Sequence, residues 1–544
     1  MAYEPDHDTI GELFFERAGQ FADHAFIAVP ARPGRDYYPD GYEITYGEAE
    51  TEVRRLIDVY RDAGYGHGHR IALGLESRPE YLLHRLALNA IGVSAVPINP
   101  AYRAAEISHL LDNSRADLVI GLRKYRDDTD AGAAEADHDA VIIDYEDFEG
   151  GLPGAAGTAP IDGPPGRHTE SSLLYTSGTT GKPKGCILCH EYELWVGRSY
   201  AEFGGHMEFN TGTDRIFNPL PLFHCNAATV SFYGALYKGN CQIQPDQFHG
   251  STWWQDVVDT KATVIHYLGI IAPALLKLEE TPVESQHQVR FGMGAGVEPD
   301  LHAAFEDRFG FPLIEGWGMT EIVRMFVTHE DPRKRGTRAF GRSRPTMEVR
   351  VVDDDDREVP DNQHGEMVIR HSAETPRKGF FSGYLHAEAA TEEAWKGGWF
   401  HTGDLIYRAE DGMLHFVDRK KHIIRRSGEN ISAAEVEAEL LNDAAVQEVA
   451  VVPAPDELRQ EEVCAFVALR PGEAGDQAKA DALFDHCFGR LAHYKAPGWI
   501  TFIDEVPKTP TQKIQKHLLL EQFNDPANRD AFFDYRDRKR PARR

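Results

Sequence analysis

The sequence predicts an α/β protein of two domains, on three observations. The chain has 544 residues, too many for one compact core. Between residues 45 and 145 helical and strand patterns alternate, the signature of a parallel sheet covered by helices. Past residue 340 the texture changes to short strands and then to a smaller α+β pattern.

The elements follow in order. TYGEAETEVRRLIDVYRDAG sets Val53, Leu56, Ile57 and Tyr60 at helical spacing and stops at Gly64. RIALGL reads as a buried strand, PEYLLHRLALNAIG as a helix, VSAVPI as a strand, AEISHLLDNS as a helix and ADLVIGL as a strand. The Gly/Pro-rich stretch 150–168 is a surface linker. Beyond residue 340, MEVRVVD, GEMVIR and MLHFVD are short strands separated by turns, which suggests a barrel-like portion. SAAEVEAELL then starts a small domain with strands at VQEVAVVPAP, EEVCAFVALRP and WITFID and a helix near 478–492. The expected division is a large domain over 1–419 and a small one over 420–544.

Composition excludes several classes. Apolar residues make up 42% and charged residues 27%, values ordinary for a globular chain. No apolar run approaches the roughly 18 residues of a spanning helix, and the acidic N-terminal stretch lacks a basic leader, so the reading is a cytoplasmic protein without an integral membrane segment. A net charge of −29 disfavours nucleic acid as a partner and requires a local basic site for any anionic substrate. The basic end, Arg536 to Arg544, reads as solvated and carries no function. Six cysteines form no disulfide framework, and Cys186-x-x-Cys189 lacks the second ligand pair of a zinc site; these are buried thiols. A homodimer is admitted among the partners.

The sharpest motif is YTSGTTGKPKG, Tyr175 to Gly185. It is not a Walker A loop, because Pro183 follows Lys182 where that motif needs Ser or Thr. Thr176, Ser177, Gly178, Thr179, Thr180 and Gly181 still offer hydroxyls and open backbone N–H groups, and Lys182 and Lys184 offer positive charge, a set suited to polyphosphate. Five more motifs follow: PLFH at 221–224, EGWGMTE at 315–321, GWFHTGD at 398–404, DRKKHIIRRSGEN at 418–430 and PKTPTQKIQK at 507–516.

In that order these motifs resemble those of the adenylate-forming superfamily of acyl-CoA synthetases, luciferases and nonribosomal-peptide adenylation domains. The resemblance spans roughly residues 9–520, and FVDRKKHIIRRSGENISAAEVE is most similar to the crotonobetaine/carnitine-CoA ligase branch. It implies attack of a small carboxylic acid on the α-phosphate of ATP, giving acyl-AMP and pyrophosphate, then attack of the thiol of coenzyme A. The alternative it leaves open passes the acyl group to a carrier protein or another acceptor. Taken alone, Glu321 reads as a turn carboxylate and Lys513 as a solvated lysine; the motifs around them reverse both readings.

The resemblance implies a role for each site residue. Glu321 coordinates Mg2+ and Thr320 contacts the α-phosphate. Trp317, where the family usually has Tyr, stacks on adenine over a floor of Glu315 and Gly316, with Gly294, Ala295 and Gly296 admitting base and acyl group. Asp404 and Arg419 hold the ribose. Lys513 bridges carboxylate and α-phosphate, although Gln512 stands where the family usually has Gly. Lys421 is the hinge of a mobile small domain, Gly428 lines the pantetheine passage, and Arg425 and Arg426 either meet CoA phosphates or are solvated. His224 closes or lines the acyl passage, and the absence of Asp at that place counts against an α-amino acid. The other pocket candidates, Asn226, Val230, Gly318 and Met319, are mostly small or apolar and admit a sizeable acyl group without naming it.

Overall fold

The computed structural model describes residues 5–176, 183–269, 271–344, 347–419, 423–426, 429–456, 459–491, 493–508 and 514–539. They fall into two compact units. The first comprises 1–349, 369–400 and 411–415, the second 350–368, 401–410 and 416–544. The short strands past residue 340 are divided between the two units. Ala339–Arg342 pairs with the start of Met413–Arg419 in the first unit, whereas most of Gly365–Arg370 and Phe400–Arg408 belongs to the second.

In the first unit the alternation read from sequence is realised. The helix Tyr46–Asp62 begins at a reciprocal cap between Thr45 and Glu48 and buries Val53, Leu56, Ile57 and Tyr60. Strands Arg70–Gly74, Ser94–Pro97 and Leu118–Gly121 run parallel, as short helical crossovers require. They belong to a seven-stranded sheet in the order Gly383–Tyr384, Lys184–Cys189, Glu170–Thr176, Ser94–Pro97, Arg70–Gly74, Leu118–Gly121, Val141–Asp144. A second sheet has eight strands, ordered Ile322–Val327, Leu313–Met319, Phe291–Ala295, Val264–Leu268, Arg215–Phe217, Cys241–Ile243, Ala25–Val29, Tyr42–Thr45. Its central strands are three to seven residues long and buried on both faces.

The second unit is built on Gln460–Leu469, which pairs with Val446–Asp456 on one side and Trp499–Phe502 on the other. Its side chains alternate between two cores. Val463, Ala465 and Val467 pack with the helices Ala433–Leu441 and Gln477–Arg490, while Cys464 and Phe466 pack with Leu519 and Phe523. The basic end is docked through Lys539, contrary to the solvated reading. Phe533–Asp534 adds a strand beside Trp499–Phe502, and Tyr535 stacks on Phe484 with ring centres 4.7 Å apart. Arg536 and Arg538 pair with Asp456, Asp481 and Asp485. Apolar rings interleaved with the charges supply the burial that a purely basic tail would lack.

Five of the six cysteines are buried and Cys225 is half-buried. Among the described residues no helix is long and apolar enough to cross a membrane.

Three buried histidines, His84, His190 and His266, are held neutral, burial pulling each down to about 3. The unfolded chain binds protons at these sites below about 6.5, and the folded chain does not until about 3. Their contribution to stability is thus complete above about 6.5 and is lost as pH falls toward 3. We predict that the urea midpoint drops over this window and that His84→Gln makes the drop shallower; a midpoint independent of pH between 6 and 4 contradicts this.

Candidate active site

Thr176 and Lys184 face each other across the antiparallel pair Glu170–Thr176 and Lys184–Cys189. The segment between them, with Ser177, Gly178, Thr179 and Thr180, lies outside the described residues, as do Lys421, Gly428, Gln512 and Lys513. Next to Lys184–Cys189 runs Gly383–Tyr384, with Tyr384 opposite Cys186. The Tyr384 ring receives the Lys184 ammonium 5.1 Å from its centre, and its hydroxyl donates to Glu321 Oε1 at 2.8 Å. One ring thus meets the cation over its face and the carboxylate through its hydroxyl. A cation and a carboxylate gathered on one ring suit a ligand that carries both an anion and a metal ion.

Glu321 is only 5% exposed, and its backbone is also fixed, the Phe381 N–H donating to the Glu321 carbonyl at 3.0 Å. Its neighbour Thr320 accepts through its carbonyl from the Tyr192 hydroxyl at 2.7 Å. Burial, with the Glu321 carboxylate adding to it, holds the Tyr384 phenol and the Cys186 thiol well above their ordinary ranges, so both stay protonated.

The floor is a set of close backbone approaches. Glu315 does not present its carboxylate openly; it accepts from Tyr267 Oη at 2.7 Å and from the N–H groups of Gly296 at 2.9 Å and Val297 at 3.3 Å. Burial raises its pKa. Glu315 thereby pins the turn after Phe291–Ala295, where Gly296 has φ +83°. A Cβ on Gly294 would lie 2.3 Å from the Tyr267 carbonyl, and one on Gly316 would lie 3.2 Å from Val327. We predict that Gly294→Ala destabilises the protein by about 3 kcal/mol, read as a lower urea midpoint; an unchanged midpoint contradicts the packing. Trp317 is 8% exposed, its indole covered by Phe326 and Phe340 with ring centres 5.7 and 6.0 Å away.

His224 begins the turn leading into the π-helix Asn226–Ser231, an irregularity frequent at functional positions. Its neighbour Asn226 is oriented by a directed chain. Asn218 Oδ1 accepts from Leu220 N–H, so Asn218 Nδ2 donates, to Ser231 Oγ at 2.8 Å and to Asn226 Oδ1 at 2.9 Å. Asn226 Oδ1 also accepts from His266 Nδ1 at 2.8 Å, which leaves His266 Nε2 to accept from the Tyr200 hydroxyl at 2.7 Å. The neutral imidazole fits this tautomer. With Oδ1 held twice, the half-buried Asn226 turns its amide N–H groups the other way.

In the second unit Asp404, 1% exposed, pairs with Arg419 Nε at 2.6 Å. The turn before it is fixed by Thr402 Oγ1 donating to the Met367 carbonyl at 2.7 Å and by Gly403 N–H donating to Glu366 at 3.1 Å. Arg426, for which CoA phosphates were one reading, is buried on Glu462 at 2.8 Å and is spent there.

Sequence reasoning missed Tyr384, Tyr192 and the Asn218–His266–Tyr200 chain. Tyr192 and Tyr200 lie on the helix His190–Ala201 and Tyr384 on a two-residue strand, and each meets its partner across a long stretch of sequence.

Comparison with known proteins fits this geometry. The model of the AMP-binding enzyme family matches residues 14–385, and that of the AMP-binding enzyme C-terminal domain matches 435–513. A sulfoacetate–CoA ligase of Cupriavidus necator is 32% identical over 95% of this chain and 98% of its own. A crotonobetaine/carnitine–CoA ligase of Salmonella paratyphi A is 28% identical over 88% and 93%. Among solved structures, an ATP-bound RpMatB-BxBclM chimera superposes with a TM-score of 0.80 at 25% identity, over 95% of this chain and 99% of its own. A Mycobacterium tuberculosis fatty acyl CoA synthetase gives 0.69 at 26%, over 94% and 98%. With most of its length matched by the family model, the chain belongs to the AMP-binding enzyme family.

Proposed function

We propose that this protein activates a small carboxylic acid with ATP and transfers the acyl group to coenzyme A, releasing AMP and pyrophosphate. The observation that carries the reading is the arrangement around Tyr384, which gathers the Lys184 ammonium and the Glu321 carboxylate on one ring beside the ends of the Thr/Gly-rich motif. That suits a metal-bound polyphosphate. Mg2+ asks little of a protein when substrate phosphates supply most of its oxygens, and one buried carboxylate, Glu321, fits that demand. When bound, it offsets charge on the phosphates.

The remaining roles follow the same reading. Lys184 and the motif hydroxyls hold the outer phosphates, Trp317 and the glycine floor take the base, and Asp404 with Arg419 takes the ribose. Lys513 stabilises charge at the α-phosphorus as the carboxylate attacks. The small domain from residue 420 then turns about Lys421 and presents Gly428 to the pantetheine arm. The same proposal places the enzyme in the cytoplasm and admits a homodimer.

For the acid itself, Asn226 favours a group that accepts hydrogen bonds at the far end from the carboxylate. The sulfoacetate–CoA ligase relative takes an acid of that kind by its name. Tests with ATP, Mg2+ and CoA should therefore give AMP and thioester with short acids bearing a second oxyanion, ahead of plain fatty acids of equal size. Asn226→Leu should narrow that preference by about tenfold, the worth of one or two hydrogen bonds. Higher turnover with plain fatty acids would overturn the choice of acid while leaving the reaction intact.

A further inference from the structure

Lys539, near the end of the chain, is 2% exposed and ion-paired with Glu462, itself completely buried. The same carboxylate receives Arg426 Nε at 2.8 Å on each of its oxygens, and Arg459 approaches at 3.4 Å. Its Oε1 also accepts from the Val463 N–H at 3.0 Å. The junction is built for this side chain, because a Cβ on Gly498 would lie 2.3 Å from Glu462 Cγ. Gly498 in turn accepts through its carbonyl from the Tyr535 N–H at 2.8 Å, which brings the chain end across the strand.

Arg426 closes the strand Ile423–Arg426, paired antiparallel with Glu429–Ser432. Where this strand pair meets the strand Gln460–Leu469 the register is Arg426 opposite Gln460, so Glu462 grips it at Arg426, which is also paired with Glu429. A buried carboxylate facing a single guanidinium could be met by solvent or by alternative rotamers; a second buried cation from the chain end fixes it. The segment carrying Lys539, residues 514–539, extends past the matched C-terminal family domain, which ends at 513.

We propose that Lys539, acting through Glu462 and Arg426, is a positioning residue for the thioester-forming half-reaction: it locks the paired strands Ile423–Arg426 and Glu429–Ser432, which flank Gly428 in sequence. The inference rests on the CoA-ligase reading and adds a part of the chain to it. On that reading adenylation does not use this strand pair, so the two half-reactions separate the effect from loss of fold.

The experiment uses the full chain and compares Lys539→Met, Lys539→Arg and, as a control in the same segment, Arg538→Gln, which leaves Glu462 untouched. Acid-dependent ATP–pyrophosphate exchange reads adenylation, and thioester formation from supplied acyl-adenylate at varied CoA reads the second step. Lys539→Met should keep exchange within about twofold and lose about tenfold in kcat/KM for CoA, through KM more than kcat, with Lys539→Arg restoring most of it. Arg538→Gln should match the unsubstituted chain. Equal loss in both half-reactions, no loss in either, or no rescue by arginine overturns the inference. An unsubstituted chain that exchanges pyrophosphate but forms no thioester with CoA overturns the ligase reading itself, a result distinct from any failure of the variants.

Discussion

Replacing Lys513 by alanine should lower acyl-adenylate formation by about 10²- to 10³-fold, the range for removing one group that stabilises transition-state charge. Thioester formation from supplied acyl-adenylate should stay near that of the unsubstituted chain. The asymmetry follows from the chemistry: the first step joins two anions, carboxylate and α-phosphate, and a cation between them acts only there. The residues that flank 509–513 pair with each other in the second unit. Lys508 and Ile514 form an antiparallel bridge, and the Gln515 N–H donates to the Pro507 carbonyl at 2.8 Å. Lys508 and Lys516 are occupied by Glu448 at 2.5 Å and Glu437 at 2.8 Å. Flanking lysines already committed to ion pairs are poor substitutes. Equal loss of both half-reactions would falsify the assignment.

Glu321→Gln should reduce adenylation by about a hundredfold or more at millimolar Mg2+, several kcal/mol of charge stabilisation. It should also raise the Mg2+ concentration needed for half-maximal rate. Glutamine still offers a carbonyl oxygen to the Tyr384 hydroxyl, now 2.8 Å from the carboxylate, so the thermal midpoint should move little. Tyr384→Phe keeps the ring under Lys184 and removes only that hydrogen bond; its cost in stability should be about 1 kcal/mol. A glutamine variant that unfolds as readily as it loses activity would show that the carboxylate serves the fold, not the metal.

Much of the architecture was legible in the sequence where the pattern is long and periodic. The helix from Tyr46 and the strands around Ile71, Val96 and Val119 were readable because amphipathic spacing and caps act locally. The eight-stranded sheet was not, since pieces such as Arg215–Phe217 and Cys241–Ile243 are three residues long and carry no measurable period. The docking of Lys539 was hidden for another reason: a charge run looks solvated unless the partners, here Glu462 and Asp456, are known. Of the candidate site, the motif residues Lys184, Thr320 and Glu321 were visible as strings. Tyr384, which touches Lys184 and Glu321, was not, because it lies on a two-residue strand paired across nearly 200 residues. Glu315 illustrates the opposite case, a motif residue whose carboxylate proves to hold Gly296 and Val297 in place.

The most direct test of the central claim follows one oxygen atom. With an acid that turns over, its carboxylate labelled with oxygen-18, attack on the α-phosphorus must leave one labelled oxygen in AMP and none in pyrophosphate after the acyl group passes to CoA. Unlabelled AMP with label retained entirely in the thioester and solvent, or formation of ADP and phosphate, would contradict the account.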